Sequence, residues 1–404
     1  MGRGLLLVSA IAWFACGGGG GGGGSDGITV RDSAGVEIVE HPAGFEAALP
    51  RWVVDSVPLL DLGGRQEPGH DLHQVVGAAR LADGRIVVAN RGSSELRYFD
   101  SSGKYLFAAG RPGEGPGEFR YLGAMQLLAG DTLFVLDYQV RRGSLFSPAG
   151  EFLRSFQFVR SEEGTSVSEF ALLRTGHRLA EHQRLTGMSE TSGPTRRDSF
   201  ALVVLDLGTI GMDTIVVVPG SEVYPVAVRV GGSEFPALHG VEFGRSSAIG
   251  TDCVRVLVGT NESNEVRIYR ERGELARIIR SATPAEPVTE EHRNQRRREN
   301  EARMAQQRTS EQVSDANPRS AATFPYYERI LPGGEGTLWI ELPRRYNDEG
   351  RRFVVFDSTG RAIARVQCPE RMRPYEVGPD RIIGLWRDPD DVQHVRVYRV
   401  ERSS

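Results

Sequence analysis

Cysteine is scarce in this chain: Cys16, Cys253 and Cys368 are the only three among 404 residues. A disulfide framework is therefore excluded, and Cys253 and Cys368, far apart in sequence, are expected to be buried free thiols. An excess of one charge is also missing. Lys and Arg number 49 against 53 Asp and Glu, a net charge of −4, so no global field draws in nucleic acid. Past residue 16, no apolar run approaches the roughly 20 residues that a membrane-crossing helix needs. Catalytic signatures are lacking too. His41, His70, His73, His177, His182, His239, His292 and His394 fall into no H-x-x-x-H or H-E-x-x-H pattern, and no G-x-S-x-G elbow occurs.

What the chain has in quantity is glycine, 49 residues, beside 21 prolines, on a globular background of 39% hydrophobic residues. That is the composition of a chain rich in turns. Eight of the glycines form one run, Gly17 to Gly24. They follow a segment in which Arg3 supplies a positive start and "LLLVSAIAWFA", Leu5 to Ala15, an apolar stretch too short to span a bilayer. This reads as a signal peptide over residues 1–16. Small Ala15 before Cys16 resembles a bacterial lipobox, with Trp13 standing where that pattern prefers leucine. The resemblance implies lipidation of Cys16 and export to the cell envelope. Gly17 after the cysteine resembles an outer-membrane sorting signal of a two-membrane bacterium. Residues 17–27 then form a tether with an r.m.s. reach of about 20 Å.

From residue 28 the dominant pattern is a repeat. "LADGRIVVANRGSSELRYFDSSGKYLFAAG", Leu81 to Gly110, reads as four short strands separated by turns, one blade of a β-propeller. The pair that ends each third strand recurs as Tyr98-Phe99, Leu145-Phe146, Val204-Leu205, Ile268-Tyr269, Val355-Phe356 and Val397-Tyr398. Its spacings of 47, 59, 64, 87 and 42 residues bracket a plain blade and leave room for insertions in the middle. Glycines recur at the third-to-fourth strand turns: Gly103, Gly150, Gly273 and Gly360. The count is six blades over 28–404, an all-β six-bladed β-propeller of four-stranded antiparallel blades. Only six residues follow Tyr398, too few for a fourth strand. The segment 51–64 is therefore expected to close the ring as the missing strand, with 28–42 a hairpin packed on that side. One helical insertion is expected at about 284–315 between blades 4 and 5, where Thr289 caps a segment that is polar all round.

The run Gly77 to Phe119, with "DGRIVVAN", "FDSSGKYL" and "GRPGEGPGEF", resembles bacterial six-bladed β-propeller lipoproteins related to NHL-repeat proteins. That resemblance implies fold and address more than activity. Six-bladed propellers also include metal-dependent lactone hydrolases, which would need calcium or zinc held by polar groups around the central channel.

Strand geometry sorts the loops by face. The first-to-second and third-to-fourth strand turns share one face. The second-to-third turns and the connections between blades share the other, the second face, and they are longer and more charged. Function is expected there. The candidate ligand-binding residues are Asn90, Arg91, Arg111, Glu114, Glu118, Arg120, Asp137, Arg141, Arg142 and His182. In "GRPGEGPGEFR" (110–120), Pro116 and Gly117 suit a tight turn and Phe119 a plug between blades 1 and 2. Glu114 and Glu118 would repel a phosphate. Asn90, Asp137 and His182 sit at equivalent second-strand ends, while Gly259, Leu342 and Trp386 occupy the corresponding places in blades 4 to 6. Half a ring of polar groups suits turn caps better than a metal site, so no cofactor is expected. The expected function is non-catalytic binding of a protein, peptide or glycan at the envelope by a monomer. A metal-dependent hydrolase or lactonase on the same fold is the alternative.

Overall fold

The computed structural model describes residues 27–402 apart from 185–189, 207–210, 231–232, 307–310, 314–317 and 346–347. The expected signal peptide, Cys16 and the glycine run lie outside the described residues. Among those described, no helix is long and apolar enough to cross a membrane.

Six blades, each with a core of four antiparallel strands, surround a central channel. Blade 1 runs through Val75–Arg80, Ile86–Asn90, Glu95–Phe99 and Tyr105–Ala109. Blade 2 uses Leu122–Leu127, Leu133–Asp137, Arg142–Phe146 and Phe152–Gln157. Blade 3 uses Thr165–Leu172, Arg178–Arg184, Ser199–Leu205 and Met212–Pro219. Blade 4 is built from Ala248–Thr251, Arg255–Gly259, Glu265–Arg270 and Leu275–Ser281. Blade 5 takes Arg329–Pro332, Leu338–Glu341, Arg352–Phe356 and Ala362–Gln367. Blade 6 has Met372–Val377, Arg381–Arg387 and Gln393–Glu401 of its own.

Why the second strands are almost uninterruptedly apolar follows from the packing. Side chains alternate across a strand, and both faces of every blade meet a neighbour. Ile86 and Val88 pack toward blade 6 with Ile383 and Val395, while Val87 and Ala89 pack toward blade 2 with Leu133 and Val135. Phe134 and Leu136 turn the other way, to Leu172 of blade 3. The same alternation sends Val256 to blade 3, Leu257 to blade 5, Leu338 to blade 4 and Trp339 to blade 6. Each seam therefore has its own buried cluster, and the core is a ring. Gly103, Gly150, Gly273 and Gly360 all hold positive φ, between 82° and 90°, as tight third-to-fourth strand turns require.

An N-terminal strand closes the ring, over a narrower segment than 51–64. Leu60–Gly63 supplies the fourth strand of blade 6, pairing Leu60 with Val397 and Gly63 with His394. Arg51–Val54 does something different: it lies parallel to the outer strand of blade 5 and antiparallel to the end of Gln393–Glu401, joining the two blades. The hairpin Thr29–Ser33 and Val36–His41 forms, but not beside the closure. Val36–His41 runs parallel to Leu275–Ser281, so the hairpin widens blade 4 to six strands. Ion pairs of Glu37 with Arg277 and Glu40 with Arg280 hold that parallel register.

Two insertions decorate the ring. The helix Glu290–Gln306 lies between blades 4 and 5, with the Thr289 hydroxyl accepting from the His292 N–H at its start. The second had no counterpart in the sequence reading: a hairpin, Val223–Val230 and Ser233–Gly240, between blades 3 and 4, joined by Glu311–Val313. Cys368 is buried and Cys253 half-buried; both are free thiols.

Candidate functional site

On the first face the turns are short and self-contained. In the turn of blade 1 the Asp100 carboxylate accepts from the Ser102 and Lys104 N–H groups, and the Gly103 N–H closes onto the Asp100 carbonyl. Asp357 repeats the pattern with Thr359, Arg361 and Gly360. The second face carries the blade connections, the additional hairpin and the helix.

Most candidate residues of blades 1 and 2 on that face are structurally engaged. The buried Arg142 donates to three carbonyls of one loop: Glu114 at 2.8 Å, Gly115 at 3.0 Å and Glu118 at 2.7 Å. Arg111 bonds the Glu118 carboxylate at 2.7 Å, and Arg120 bonds Glu114 at 3.1 Å. The Gly115 N–H and then Arg111 hold the Glu118 carboxyl below its ordinary range. Gly117 has φ +74°, and Phe119, fully buried, packs on Tyr98, Leu133 and Phe146. This loop is a plug with a welded rim. Arg91 donates to the Leu122 carbonyl at 2.6 Å and lies 4.2 Å from the Tyr121 ring centroid. Arg141 reaches the Val159 carbonyl at 2.9 Å.

Asn90 and Asp137 end their second strands and are both buried. Asn90 accepts from the His73 N–H and donates to Ser93; Asp137 accepts from the N–H groups of Arg120, Tyr121, Gln139 and Val140. They fasten the incoming chain to the blade, as caps do. His182 does not share that position, because its strand continues to Arg184 and pairs it with Val167 and Ala201. Two seam residues escaped the sequence reading. Asn261 bonds the Ser246 carbonyl and both backbone groups of Tyr327. Glu341, 1% exposed, ends the second strand of blade 5 and holds Arg329 and Arg351. Its signal was a lone acid inside the apolar "TLWIEL".

Across the face, between blades 5 and 6, lies a cleft of about 260 Å³ lined by Arg344, Arg351, Arg371, Arg373 and Arg387 with Glu349 and Glu370; Met372 and Leu385 are among its apolar lining. Arg351 is tied to Glu341, and Arg387 to Asp391. The guanidiniums of Arg344 and Arg373, both exposed, have no hydrogen-bond or ion-pair partner among the described residues. Tyr375 lines the channel, and its hydroxyl donates to the Val75 carbonyl. Burial raises its phenol pKa, while Arg373, Arg387, Arg329 and Arg91 oppose that rise.

The channel itself encloses about 500 Å³, lined largely by first-strand backbone and small side chains from Val76 to Ala79, and by Met125 and Pro332. Its carboxylates have partners: Glu376 accepts from the Arg80 N–H, Asp252 bonds Arg255 and Asp380 bonds Arg381. Among the described residues, no three His, Cys, Asp or Glu side chains converge on a point that would hold a metal.

Fold and seam packing define a six-bladed β-propeller. Residues 71–147 match the DUF5128 family model, described as a 6-bladed beta-propeller. Similar solved structures include a DUF4221 family member from Bacteroides vulgatus, at 10% identity and TM-score 0.48, covering 87% of this chain and 99% of that one. Regucalcin, a calcium-binding protein of Agrobacterium tumefaciens, is similar at 12% identity and TM-score 0.37, covering 90% and 97%. Virginiamycin B lyase from Staphylococcus aureus is similar at 9% identity and TM-score 0.35, covering 85% and 99%. At such values no neighbour's activity transfers to this chain. No curated protein matches it.

Proposed function

We propose that this chain is an exported binding propeller, anchored through Cys16, that recognises an acidic segment of a protein or peptide on its second face. The observation that carries the reading is the pair of unpartnered guanidiniums, Arg344 and Arg373, in one cleft. The arginines of blades 1 and 2 on this face, Arg91, Arg111, Arg120, Arg141 and Arg142, are by contrast engaged by carboxylates or carbonyls. A guanidinium fork matches a carboxylate in shape as well as charge. Among the described lining residues there is no aromatic ring on which a sugar would stack, which favours a peptide over a glycan. The apolar start over residues 5–15 and the cysteine behind it support export and anchoring.

Affinity capture from envelope extract tests the reading. A double variant, Arg344→Glu with Arg373→Glu, should lose the partner that wild type retains. Lys104→Glu, on an exposed first-face turn, should keep it. Equal capture by all three proteins would refute second-face recognition. Release of a Cys16→Ser variant from membranes is expected, and its retention would refute the anchor.

A further inference from the structure

From Glu290 to Asn300 the helix Glu290–Gln306 carries no apolar residue, so this stretch has no face to bury in a core. It is nonetheless fastened to the ring along one side. The Asn300 amide donates to the Glu242 carboxylate at 2.8 Å, and Arg293 Nε donates to the Ser320 hydroxyl at 3.3 Å. The His292 ring meets Phe324 edge-on with centroids 4.9 Å apart, and the Arg296 guanidinium lies 5.2 Å from the Phe243 centroid. Asn294, Arg297 and Arg298 remain exposed.

Beside this helix is a notch of about 60 Å³, lined by Phe243, by His292, Gln295 and Arg296 of the helix, and by Arg344 and Arg345 of the blade 5 loop. Arg344 lines the arginine cleft as well, so the two hollows adjoin. The notch adds Arg296 and Arg345 to the arginines of the cleft, against one further carboxylate, Glu299. Glu299 accepts from the Gln295 amide at 2.9 Å, while its separation from Arg296, 3.7 Å, exceeds a hydrogen bond. Arg345 pairs with Glu286. His292 Nδ1 accepts from the Thr289 N–H at 3.1 Å, so Nε2 carries the proton of the neutral ring as a donor.

We infer that the acidic partner of the cleft is an extended segment that crosses Arg344 and sets a further carboxylate in the notch, which makes the helix a specificity element of that site. The inference rests on the assignment of the cleft as a peptide site. Two hollows that share one guanidinium as a wall are consecutive stops for a single chain, and both have arginine in excess. The notch is small enough to favour one carboxylate over an aromatic side chain. A segment that fills both hollows gains from the second at little further cost in association entropy, since the first already holds it in place. A lone carboxylate or a short acidic peptide lacks that gain.

Calorimetric titration with two oligoglutamates tests the inference. One has about three residues, an extended length of about 10 Å; the other has about ten residues, about 33 Å. Wild type should bind the long peptide at least about tenfold more tightly than the short one. Arg296→Glu should remove most of that difference, with the short peptide's affinity and the unfolding midpoint little changed. Gln295→Glu, which places a negative charge in the same notch, serves as the second variant should Arg296→Glu fold poorly. Arg298→Glu, exposed on the same helix and lining neither hollow, should bind both peptides nearly as wild type does. Arg344→Glu with Arg373→Glu should weaken both. Binding of neither peptide by wild type would refute the cleft itself, and this inference with it. If the cleft variant loses both peptides while Arg296→Glu and Gln295→Glu keep the full preference for the long one, the cleft stands and the notch is overturned. An Arg298→Glu effect as large as that of Arg296→Glu would also overturn the notch, by showing only a general attraction between charges.

Discussion

Arg142 and Arg373 occupy the same face of one ring, yet the first is walled in by three carbonyl oxygens and the second has no partner among the described residues. The contrast extends to their surroundings. At blades 1 and 2 the loop 110–120 folds back on itself through Arg111, Glu118, Glu114 and Arg120, and Phe119 anchors it in the seam. At blades 5 and 6 five arginines face two glutamates around an open cleft. Both stretches are mixed-charge and glycine-containing. What separates the engaged arginine from the unpartnered one is whether backbone acceptors have been brought to it. That depends on which loop the neighbouring blade sends across.

The comparison can be broken at several points. Phe119→Ala should have the largest effect, about 3–5 kcal/mol from the lost burial and the cavity left in the seam, read as a fall in the urea midpoint. Arg142→Ala should follow at about 1–3 kcal/mol, because three carbonyls at least partly shielded from water lose their donor. Arg373→Ala, exposed and unpartnered, should change stability by less than about 0.5 kcal/mol while weakening acidic ligands. A fall in stability equal to that of Arg142→Ala would show that the cleft arginine is structural after all.

The smallest expected effect is on pH dependence, and it sharpens the contrast by showing a polar group held on the first-face side. Burial lowers the pKa of His41, whose Nε2 bonds the Gly360 carbonyl. The unfolded chain takes up that proton first, near pH 6.5, so the contribution is intact above that value and stability falls as pH drops below it. The difference in urea midpoint between wild type and His41→Gln should therefore narrow or reverse from about pH 7.5 to 5.5. The half-buried Glu376, whose carboxyl pKa desolvation raises, acts in the opposite sense, as does Glu328. They cancel in that difference.

How legible all this was in the sequence depended on how local the cause was. Blade count, strand phase and the glycine turns are local: Asp100 to Gly103 and Asp357 to Gly360 are complete within a few residues. Phe119 was readable as a plug because a lone aromatic follows a run of turn residues. Closure by a strand upstream of blade 1 followed from counting what blade 6 lacked. The choice of Leu60–Gly63 over Arg51–Val54 did not, since both alternate alike. The parallel docking of Val36–His41 on blade 4 rests on partners about 240 residues away, such as Glu40 with Arg280, and no local signal reports them. The candidate site was the hardest part. Arg111, Arg120 and Arg142 look as available in sequence as Arg344 and Arg373 do, and only their partners tell them apart.

The account stands most directly on one measurement, the titration of a glutamate-rich peptide into wild type and into the Arg344→Glu, Arg373→Glu variant. Wild type should bind, with affinity that falls as salt rises. The variant should bind at least about tenfold more weakly at an unchanged unfolding midpoint. An equal affinity for both proteins, or no binding by wild type, would contradict the assignment of this cleft as the binding site.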